Sequence, residues 1–550
     1  MPTITLNKEI VEKLIGKKLS IEKLKDRISY LGTDLESIEG NEITVEIFPN
    51  RPDLLSEQGF ARALSSFIGG KTGLKQYNVQ KSNEKVIIDK SVAKIRPYTA
   101  CAIVKNLKFD QEGIKEIIKI QEKLHITYCR NRKKAAIGIY PYEKIKAPIR
   151  YLALKPEEIK FQPLESDKKL TAQQILEKHP AGKEYGYLLD GLDKYPVFID
   201  SNNEILSMPP IINSYLTGKI TQNTKDVFIE CSGFDFNVLK QLLSIIVTAL
   251  ADMGGKIYSM QLQYPDEKIE TPNLEPKEVD LNLDYVNKIL GLKLNEKEIA
   301  TLLARMGFSY KNKKVLIPCY RNDILHEIDL AEDIAIAYGY ENFKPEIPNI
   351  FTIASENEFE IFKKKVASIL VGLGLNEVST YHITNKEDQC AKMQNNIELI
   401  ELKNALTQEY DNLRAWIIPN LLKVLKDNKH HEYPQKIFDI GTIFKINPST
   451  ETNVEENTIV AAAICHKTAN YTEIRQALDS LLNALNVEYK VLEDEHPSFI
   501  QGRVAKIVVN NNKVAYLGEL NPAVISNWKI GMPVSAFELN LIGLYEIIKG

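Results

Sequence analysis

The stretch RNDILHEIDLAED, residues 321–333, decides how the chain is interpreted, because it is the second copy of an internal repeat. The first copy is RPDLLSEQGFARA, residues 51–63. In both copies an Asp is followed by Glu after four residues and by Ala after four more, which is the spacing of one helix face. These residues are Asp53, Glu57 and Ala61, then Asp323, Glu327 and Ala331. We predict that the Asp opens a helix in each copy.

The repeat extends upstream of both stretches. A helix that Ser20 caps ends at Gly32, and a helix that Asn295 caps ends at Gly307, so each glycine comes twelve residues after its cap. A strand-like segment follows in each copy, at residues 43–48 and 315–320. The pattern therefore predicts two related helix-strand-helix modules.

The two copies differ in charge at three aligned positions. The second copy has three acids, Asp329, Glu332 and Asp333, where the first copy has Gly59, Arg62 and Ala63. The scaffold therefore does not require acids at these positions. Their spacing places them on one helix face, and carboxylates are ligands that Mg²⁺ prefers. A magnesium site and a solvated acidic face near a positive helix N-terminus are both compatible with this pattern.

Composition excludes several classes of protein. A length of 550 residues predicts three to four domains at about 150 residues each. The net charge of −3 gives no general basic field for nucleic acid, so RNA binding would need local patches. Six scattered cysteines without a CxxC pair argue against a zinc site or a disulfide framework. No signal peptide or membrane span is recognised, and we expect a cytoplasmic protein.

Composition shifts and prolines divide the chain into four predicted domains of an α+β protein. Pro272 and Pro276 mark one linker, and Pro345 and Pro348 mark another. The last region alternates an amphipathic helix with strand-like segments, which is typical of a mixed α+β domain. The predicted domains are a first repeat module (1–85), a mixed α/β domain (86–268), a second repeat module (270–347) and a C-terminal domain (350–550).

Two further segments carry candidate functional residues. Four cations, Arg130, Arg132, Lys133 and Lys134, lie within five residues and could neutralise RNA phosphates or form a solvated loop. In residues 206–235, prolines flank Ser207 and Asn213, and Glu230 interrupts an apolar strand pattern. A buried acid needs a partner in the protein or in a ligand, and both readings stay open. Residues 69–72, Gly-Gly-Lys-Thr, resemble the end of a P-loop, but Ser65 replaces the required glycine and a helix precedes it.

Together these segments resemble the β subunit of phenylalanyl-tRNA synthetase in its archaeal/eukaryotic form. The resemblance covers nearly the whole chain in the right order. The matching stretches are residues 50–56, 132–140, 206–213, 226–230, 321–340, 496–503 and 528–539.

The resemblance implies a heterotetramer of two α and two β chains that attaches phenylalanine to tRNA(Phe) with ATP and Mg²⁺, with the synthetic site on α. It implies that the C-terminal domain is a class II synthetase-like antiparallel-sheet domain without catalytic motifs, in which Arg414 has a structural or interface role. It also implies that four acids bind magnesium: Asp323, Asp329, Glu332 and Asp333.

The resemblance further implies that residues 86–268 form a tRNA-binding editing domain, which hydrolyses tyrosine wrongly attached to tRNA(Phe). Glu230 is then the candidate contact for the tyrosine hydroxyl. Ser207, Asn213 and Asp235 are candidates for holding the ester or the attacking water. Ser232 departs from the family pattern, in which Thr is usual, so the hydroxyl is kept and the methyl group is lost.

Two other hypotheses compete with an editing subunit. One is a scaffold that binds α and tRNA and has an inactive editing pocket. The other is an unrelated metal protein with an acidic site, which requires every family match to be coincidental. Hydrolysis of Tyr-tRNA separates editing from scaffolding, and copurification with an α chain excludes the unrelated protein.

Overall fold

The computed structural model describes residues 2–549. The chain divides into two compact units between Ile347 and Pro348. Each unit contains several β-sheets and helices, so the prediction of a multidomain α+β protein is confirmed. In the described residues no helix is both long and apolar enough to cross a membrane.

The first repeat forms a βααββα module around a three-stranded sheet in the order β1-β3-β2. The Ser20 hydroxyl caps the second helix by accepting from the Lys23 amide at 3.3 Å, and Gly32 ends this segment with φ of +89°. The elements are β1 (Thr3–Asn7), α1 (Lys8–Ile15), α2 (Ile21–Tyr30), β2 (Asp34–Glu39), β3 (Glu42–Glu46) and α3 (Glu57–Phe67).

The middle region contains two larger sheets. One has five strands in the order β4-β15-β6-β14-β7, and the other has seven in the order β13-β12-β11-β8-β5-β16-β17. The elements are β4 (Val79–Gln80), β5 (Lys85–Ile88), β6 (Tyr98–Lys105), α4 (Gln111–Ile126), β7 (Ala135–Pro141), β8 (Ile149–Leu154), β9 (Lys160–Phe161), β10 (Leu170–Thr171), α5 (Ala172–Lys178), α6 (Pro180–Tyr185), β11 (Tyr195–Ile199), β12 (Ile205–Met208), β13 (Ile212–Asn213), α7 (Tyr215–Gly218), β14 (Val227–Gly233), α8 (Phe236–Asp252), β15 (Lys256–Tyr258), β16 (Met260–Gln263) and β17 (Lys268–Thr271).

The second repeat has the same element order as the first, and its sheet has the equivalent order β18-β20-β19. A hydrogen bond is repeated as well, because Glu57 accepts from the Asn7 amide and Glu327 accepts from the Asn282 amide. The two modules thus share their element order, their sheet order and this hydrogen bond, over a longer stretch than the sequence pattern indicated. The elements are β18 (Lys277–Asp280), α9 (Leu283–Leu290), α10 (Glu296–Arg305), β19 (Ser309–Lys311), β20 (Lys314–Ile317) and α11 (Glu327–Tyr338).

The prediction that an Asp opens the last helix of each copy is wrong. Asp53 lies in a 3₁₀ turn, Pro52–Leu54, and both Asp53 and Asp323 are held by an arginine two residues earlier. A carboxylate held in this way is not available to cap a helix. Instead, the Ser56 hydroxyl accepts from the Gly59 amide, and the His326 ring accepts from the Ile328 amide.

The two repeats and one face of the five-stranded sheet share a single hydrophobic core. Buried side chains from both repeats, including Phe60 and Ile334, belong to the same cluster as Ile229 on β14 and Leu243 on α8. The middle region is therefore anchored to both repeats through this core. The opposite face of the sheet is turned toward the seven-stranded sheet, where Tyr140 and Phe228 pack with Tyr151 and Phe198.

The second unit is built on a seven-stranded sheet in the order β21-β25-β26-β30-β29-β28-β27, antiparallel except where β21 meets β25. The predicted amphipathic helix is present as α12, which buries Phe362, Val366 and Leu370. The elements are α12 (Glu358–Gly372), β21 (Asn376–Glu377), β22 (Ile383–Thr384), β23 (Ile400–Glu401), β24 (Asn412–Leu413), α13 (Ile418–Asp427), β25 (Gln435–Ile446), β26 (Val454–Cys465), α14 (Tyr471–Ala484), β27 (Lys490–Glu493), β28 (Phe499–Val509), β29 (Asn512–Leu520), α15 (Pro522–Asn527), β30 (Val534–Asn540) and α16 (Leu541–Lys549).

Candidate functional site

A pocket of about 640 Å³ opens where the edges of the two middle sheets meet. Strand β7 is the edge of the five-stranded sheet and β13 is the edge of the seven-stranded sheet. The walls come from α4, β7, α6 and the segment 209–220, and Glu230 of β14 reaches the pocket from behind β7. The volume is within the range of small-molecule sites. We call this cavity the sheet-edge pocket.

Glu230 is buried with one carboxyl oxygen satisfied and one not. The Tyr140 hydroxyl donates to Oε1 at 3.1 Å. Oε2 is buried, and within residues 2–549 it has no hydrogen-bond partner. A buried polar atom without a partner costs about 1–3 kcal/mol, so its retention needs a reason. A ligand group that bonds to Oε2 would supply one.

Burial raises the pKa of Glu230 from 4.5 to about 8, although the Tyr140 hydroxyl, the Arg96 guanidinium and the nearby Ser232 hydroxyl act in the opposite direction. At neutral pH the carboxyl group is therefore mainly protonated. Arg96 does not form an ion pair with it, because this guanidinium donates to the hydroxyl and carbonyl oxygens of Ser232. Glu230 is thus a neutral acid that can either donate or accept a hydrogen bond.

Gly138 on β7 makes room for this carboxyl group. It is the register partner of Glu230, and a Cβ atom at Gly138 would lie 2.1 Å from the Tyr140 hydroxyl and 2.5 Å from Glu230 Oε1. Any larger residue would have to displace the Tyr140–Glu230 pair. The absence of a side chain at Gly138 therefore allows the Glu230 carboxyl group and the Tyr140 hydroxyl to lie against β7, as expected where a glycine permits close approach.

Ser207 and Asn213, two of the candidate residues, lie close to Glu230. They are register partners on β12 and β13, and Asn213 lines the pocket. Asn213 Oδ1 lies 3.3 Å from the Tyr140 hydroxyl and is an alternative acceptor to Glu230 Oε1 for its single proton. The Ser207 hydroxyl is buried near the Tyr140 hydroxyl, and no partner among the described residues lies within 3.5 Å in hydrogen-bonding geometry. Glu230, Tyr140, Asn213 and Ser207 therefore form one polar cluster, of which Glu230 and Asn213 line the pocket.

Asp235 does not belong to this group, so its assignment to the pocket is wrong. Strand β14 ends at Gly233, and the exposed Asp235 caps α8 by accepting from the amides of Asn237 and Val238. It is near Glu230 in sequence but does not line the cavity. The residue is a helix cap.

The basic run divides into two kinds of residue. Arg132 belongs to the pocket wall, since its guanidinium stacks on Tyr185 at 4.2 Å and donates to the Ile211 carbonyl at 2.7 Å. Three successive residues, 130–132, have positive φ angles, and this turn directs Arg132 inward. Arg130 and Lys133 remain exposed, whereas Lys134 lies over the Tyr128 ring. Of the four RNA-binding candidates, two are therefore exposed cations, and the other two contact aromatic rings of the protein.

Two residues at or beside the pocket are not predicted from the sequence. Tyr140 supports Glu230 from behind the pocket wall, and the sequence does not display this contact because the two residues are 90 positions apart. His125 lines the wall. Its Nε2 accepts from the Ile137 amide at 2.9 Å, and burial lowers its pKa. A neutral His125 that is fixed in this way is a structural support for β7.

The four predicted magnesium ligands do not come together. Asp323 and Asp333 both accept from Arg321, at 2.7 and 2.6 Å, and Asp333 is buried. Burial raises the pKa of Asp333, and Arg321 offsets this only in part. The guanidinium therefore occupies the position between two carboxylates that a cation would need.

The other two acids lie apart from this pair. Asp329 accepts from the amides of Leu325 and His326 at 2.8 and 2.7 Å, which completes a capping box for α11. Glu332 is exposed. In the part of the chain that the structure describes, no group of three or more His, Cys, Asp or Glu residues is arranged to hold a metal ion. The side chains present do not fit a four-carboxylate magnesium site.

In the second unit, Arg414 is buried and held by the protein. It donates to the Thr442 carbonyl at 2.8 Å and to the Thr380 hydroxyl at 2.7 Å, and it pairs with Asp439 at 3.2 Å. A Cβ atom on Gly441 would lie 2.0 Å from its guanidinium. This guanidinium is therefore engaged within the unit, in agreement with the structural role that was expected.

Known protein families match three successive parts of the chain. Family models match for the B3/4 domain over residues 88–243, for the tRNA synthetase B5 domain over residues 279–340 and for the phenylalanyl tRNA synthetase beta chain CLM domain over residues 344–541. The sheet-edge pocket lies largely within the first of these matches, and the acids of α11 lie within the second.

Curated relatives match over the full length. The phenylalanine–tRNA ligase beta subunit of Thermococcus kodakarensis is 41% identical over 99% of both chains, and that of Pyrococcus horikoshii is 41% identical over 99% of this chain and 100% of that one. A solved N-terminal fragment of the phenylalanyl-tRNA synthetase beta subunit from Pyrococcus horikoshii has a TM-score of 0.59 and 42% identity, and covers 61% of this chain and 99% of that one. The chain therefore belongs to the phenylalanyl-tRNA synthetase beta subunit family.

Proposed function

We propose that this chain is the β subunit of a phenylalanine–tRNA ligase. With an α subunit, in a complex of two α and two β chains, it supports the ATP-dependent attachment of phenylalanine to tRNA(Phe) in the cytoplasm. Full-length relatives that carry this name support the proposal. The synthetic site is on α, and the buried Arg414 supports a non-catalytic role for the second unit of this chain.

We further propose that the sheet-edge pocket removes tyrosine that has been attached to tRNA(Phe) by error. The observation that carries this proposal is Glu230 Oε2, a buried atom without a hydrogen-bond partner among residues 2–549, on a side chain that lines the sheet-edge pocket. A tyrosine hydroxyl can both donate and accept, so it satisfies Oε2 whether or not Glu230 is ionised. A phenylalanine ring leaves the carboxyl oxygen unsatisfied, and such sites reject the analogue that lacks the hydroxyl.

The reaction itself is hydrolysis of an ester. Water attacks the carbonyl carbon, the bond to the ribose oxygen breaks, and the ribose oxygen leaves with a proton. The Asn213 amide and the Ser207 hydroxyl are the groups placed to orient the ester or the water, because they lie beside Glu230 with bonding capacity left. Positioning of this kind lowers the barrier without a covalent intermediate.

The exposed cations Arg130 and Lys133 are our candidates for contacts with the tRNA backbone, because they follow α4 on the chain next to the pocket wall. Magnesium enters this proposal as the ion that accompanies ATP on α. Of the acids that the family resemblance implicates, only Asp329 and Glu332 are without an arginine partner among the described residues. Their role as ligands shared with α stays a prediction.

The test is hydrolysis of preformed Tyr-tRNA(Phe) and Phe-tRNA(Phe) by the α/β complex. Wild type is compared with Glu230→Ala and with Glu267→Gln, a control that removes an exposed carboxylate of the same region outside the pocket. We expect preferential hydrolysis of the tyrosyl ester by wild type and by the control, with the preference lost in Glu230→Ala. A complex that charges phenylalanine but hydrolyses neither ester would identify the chain as a scaffold.

A further inference from the structure

A second cavity, of about 360 Å³, lies between the two repeats and the end of α8. Both repeats contribute to it through equivalent residues, Arg51 and Arg321. Arg62, Lys71 and Lys75 complete a set of five cations that line the same space. We call it the inter-repeat cavity. It shares no lining residue with the sheet-edge pocket.

The cations outnumber the carboxylates that neutralise them. Asp53 pairs with Arg51, Asp252 with Arg62 and Lys75, and Asp323 and Asp333 with Arg321. Five cations thus stand against four carboxylates in the described chain around the cavity. Lys71 is the cation without a carboxylate partner among the ion pairs of residues 2–549. The excess charge is positive, and an anion inside the cavity would neutralise it.

The arginines keep donor atoms free for such an anion. Arg51 uses Nε and Nη2 on Asp53, and Arg321 uses the same two atoms on Asp323. In the described structure Nη1 of each has no protein acceptor. The two guanidinium groups also repel one another. Bound between them, an oxyanion would accept from both and relieve this repulsion.

Gln58 supplies an independent sign that a ligand belongs here. It lines the cavity and is only 6% exposed, and its Oε1 is buried without a hydrogen-bond partner in residues 2–549. The atom is an acceptor, so it calls for a ligand that carries a hydrogen. An anion with one protonated oxygen meets both requirements, since it accepts from the arginines and donates to Gln58.

The loop that resembles the end of a P-loop closes this cavity. Lys71 and Thr72 line it, between Gly69 and Gly73, which have φ angles of +80° and +87°. The Gly73 amide donates to the Ala304 carbonyl at 2.7 Å, which ties the loop to the second repeat. The loop follows α3 and precedes no helix, so it does not form a nucleotide-binding P-loop. It nevertheless places an ammonium and a hydroxyl group at the mouth of a basic cavity.

We propose that the inter-repeat cavity binds a small phosphoryl anion, inorganic phosphate or pyrophosphate. The cavity offers no free aromatic face for a base, because Arg62 covers the Tyr320 ring at 3.8 Å. Phosphate at neutral pH keeps a proton that can be donated to Gln58, whereas sulfate does not. Discrimination between phosphate and sulfate is therefore the signature of this site.

The test is calorimetric titration of the α/β complex with phosphate, pyrophosphate and sulfate. Lys71→Ala should weaken phosphate binding about tenfold, as the loss of one charged contact does. Gln58→Glu, which keeps the shape and adds a negative charge, should weaken it more than tenfold. Lys17→Ala, an exposed lysine outside the cavity, should change nothing. Gln58→Leu should erase the preference for phosphate over sulfate and leave general anion binding.

Each possible result of the titrations either supports the proposal or overturns it. Binding of phosphate or of pyrophosphate that responds to Lys71→Ala and Gln58→Leu supports the proposal, and the tighter ligand identifies the natural source. Absence of binding at millimolar concentration overturns it. Equal binding of sulfate and phosphate by wild type, with Lys17→Ala behaving like Lys71→Ala, would also overturn it, because that result describes diffuse screening. Neither result depends on whether the sheet-edge pocket edits tRNA.

Discussion

Two buried acids in this molecule differ in what surrounds them. Asp333 on α11 has a guanidinium at 2.6 Å, whereas Glu230 on β14 has one tyrosine hydroxyl and a second oxygen without a partner in the described residues. A buried acid that an arginine satisfies belongs to the scaffold. One that the protein leaves half satisfied, at the wall of a cavity, points to a ligand. By this criterion Asp333 has a structural role, and Glu230 is a candidate for contact with a ligand.

The largest effect should come from removing the cation of the scaffold acid. Arg321→Met leaves Asp323 and Asp333 buried without a guanidinium, and we expect a loss of about 3–5 kcal/mol in the free energy of unfolding. Arg51→Met, the equivalent change in the first repeat, leaves only Asp53 and should cost less. Urea unfolding of the two variants measures the difference. Equal costs would contradict the view that Asp333 depends on Arg321.

Replacing Glu230 should stabilise the folded chain as pH rises above neutral, whereas replacing Arg321 should destabilise it. Its pKa is about 8 in the folded chain against 4.5 as the ordinary value, so the unfolded chain releases this proton at lower pH. The contribution of Glu230 to stability is then full below about pH 4.5 and is lost as pH rises to about 8. Glu230→Gln should remove about 2–4 kcal/mol of this pH dependence. Unfolding curves at pH 5 and pH 8 with no difference between variant and wild type would disprove it.

Gly138→Ala should disable the pocket although it removes no polar side chain. The added methyl group collides with the Tyr140–Glu230 pair at 2.1 and 2.5 Å. We expect hydrolysis of Tyr-tRNA(Phe) to fall about 100-fold, equal to about 2.7 kcal/mol of activation free energy. Gly372→Ala, with open space at its Cβ, is the matched control. Charging of phenylalanine should be unchanged in both, and a fall in charging would point to misfolding.

The helix cap of α11 should give a smaller effect. Asp329 accepts from two backbone amides, so Asp329→Ala should cost about 1 kcal/mol of stability. Asp235→Ala, which removes the cap of α8, should behave in the same way and leave Tyr-tRNA hydrolysis intact. Loss of hydrolysis in Asp235→Ala would return this residue to the pocket.

Removal of metal should give the smallest effect on this chain. Arg321 already pairs with both Asp323 and Asp333, so we expect the stability of the acidic helix not to require a divalent cation. We expect a chelator to leave the unfolding midpoint of the first unit unchanged while it stops charging. A lowered midpoint that magnesium restores would show that the acids of α11 do bind metal in the resting protein.

Much of the fold could be predicted because it depends on local pattern. The capped helices after Ser20 and Asn295 and the glycines that end them are sequence-local, and both copies obey them. The burial of Glu230 could also be predicted, since it interrupts an apolar strand. These features follow from periodicity and capping, which a single sequence carries.

The remaining features depend on contacts that the sequence does not display. Spacing placed Asp329, Glu332 and Asp333 on one helix face, but only the fold shows that Arg321 turns Asp333 into a scaffold residue. Tyr140 was missed because it meets Glu230 across paired strands. Asp235 was assigned by closeness in sequence, although the chain leaves the sheet after Gly233.

The most direct test of the comparison is a paired measurement on Glu230→Leu and Asp333→Asn in the α/β complex. For each variant, the free energy of unfolding at pH 8 and the rates of Tyr-tRNA(Phe) and Phe-tRNA(Phe) hydrolysis are measured. We predict that Glu230→Leu gains stability, because it removes a buried carboxyl group, and loses tyrosine selectivity, because no oxygen remains to bond to the tyrosine hydroxyl. We predict that Asp333→Asn loses stability and keeps hydrolysis. A variant pair in which Asp333→Asn abolishes hydrolysis while Glu230→Leu leaves selectivity unchanged would contradict the account.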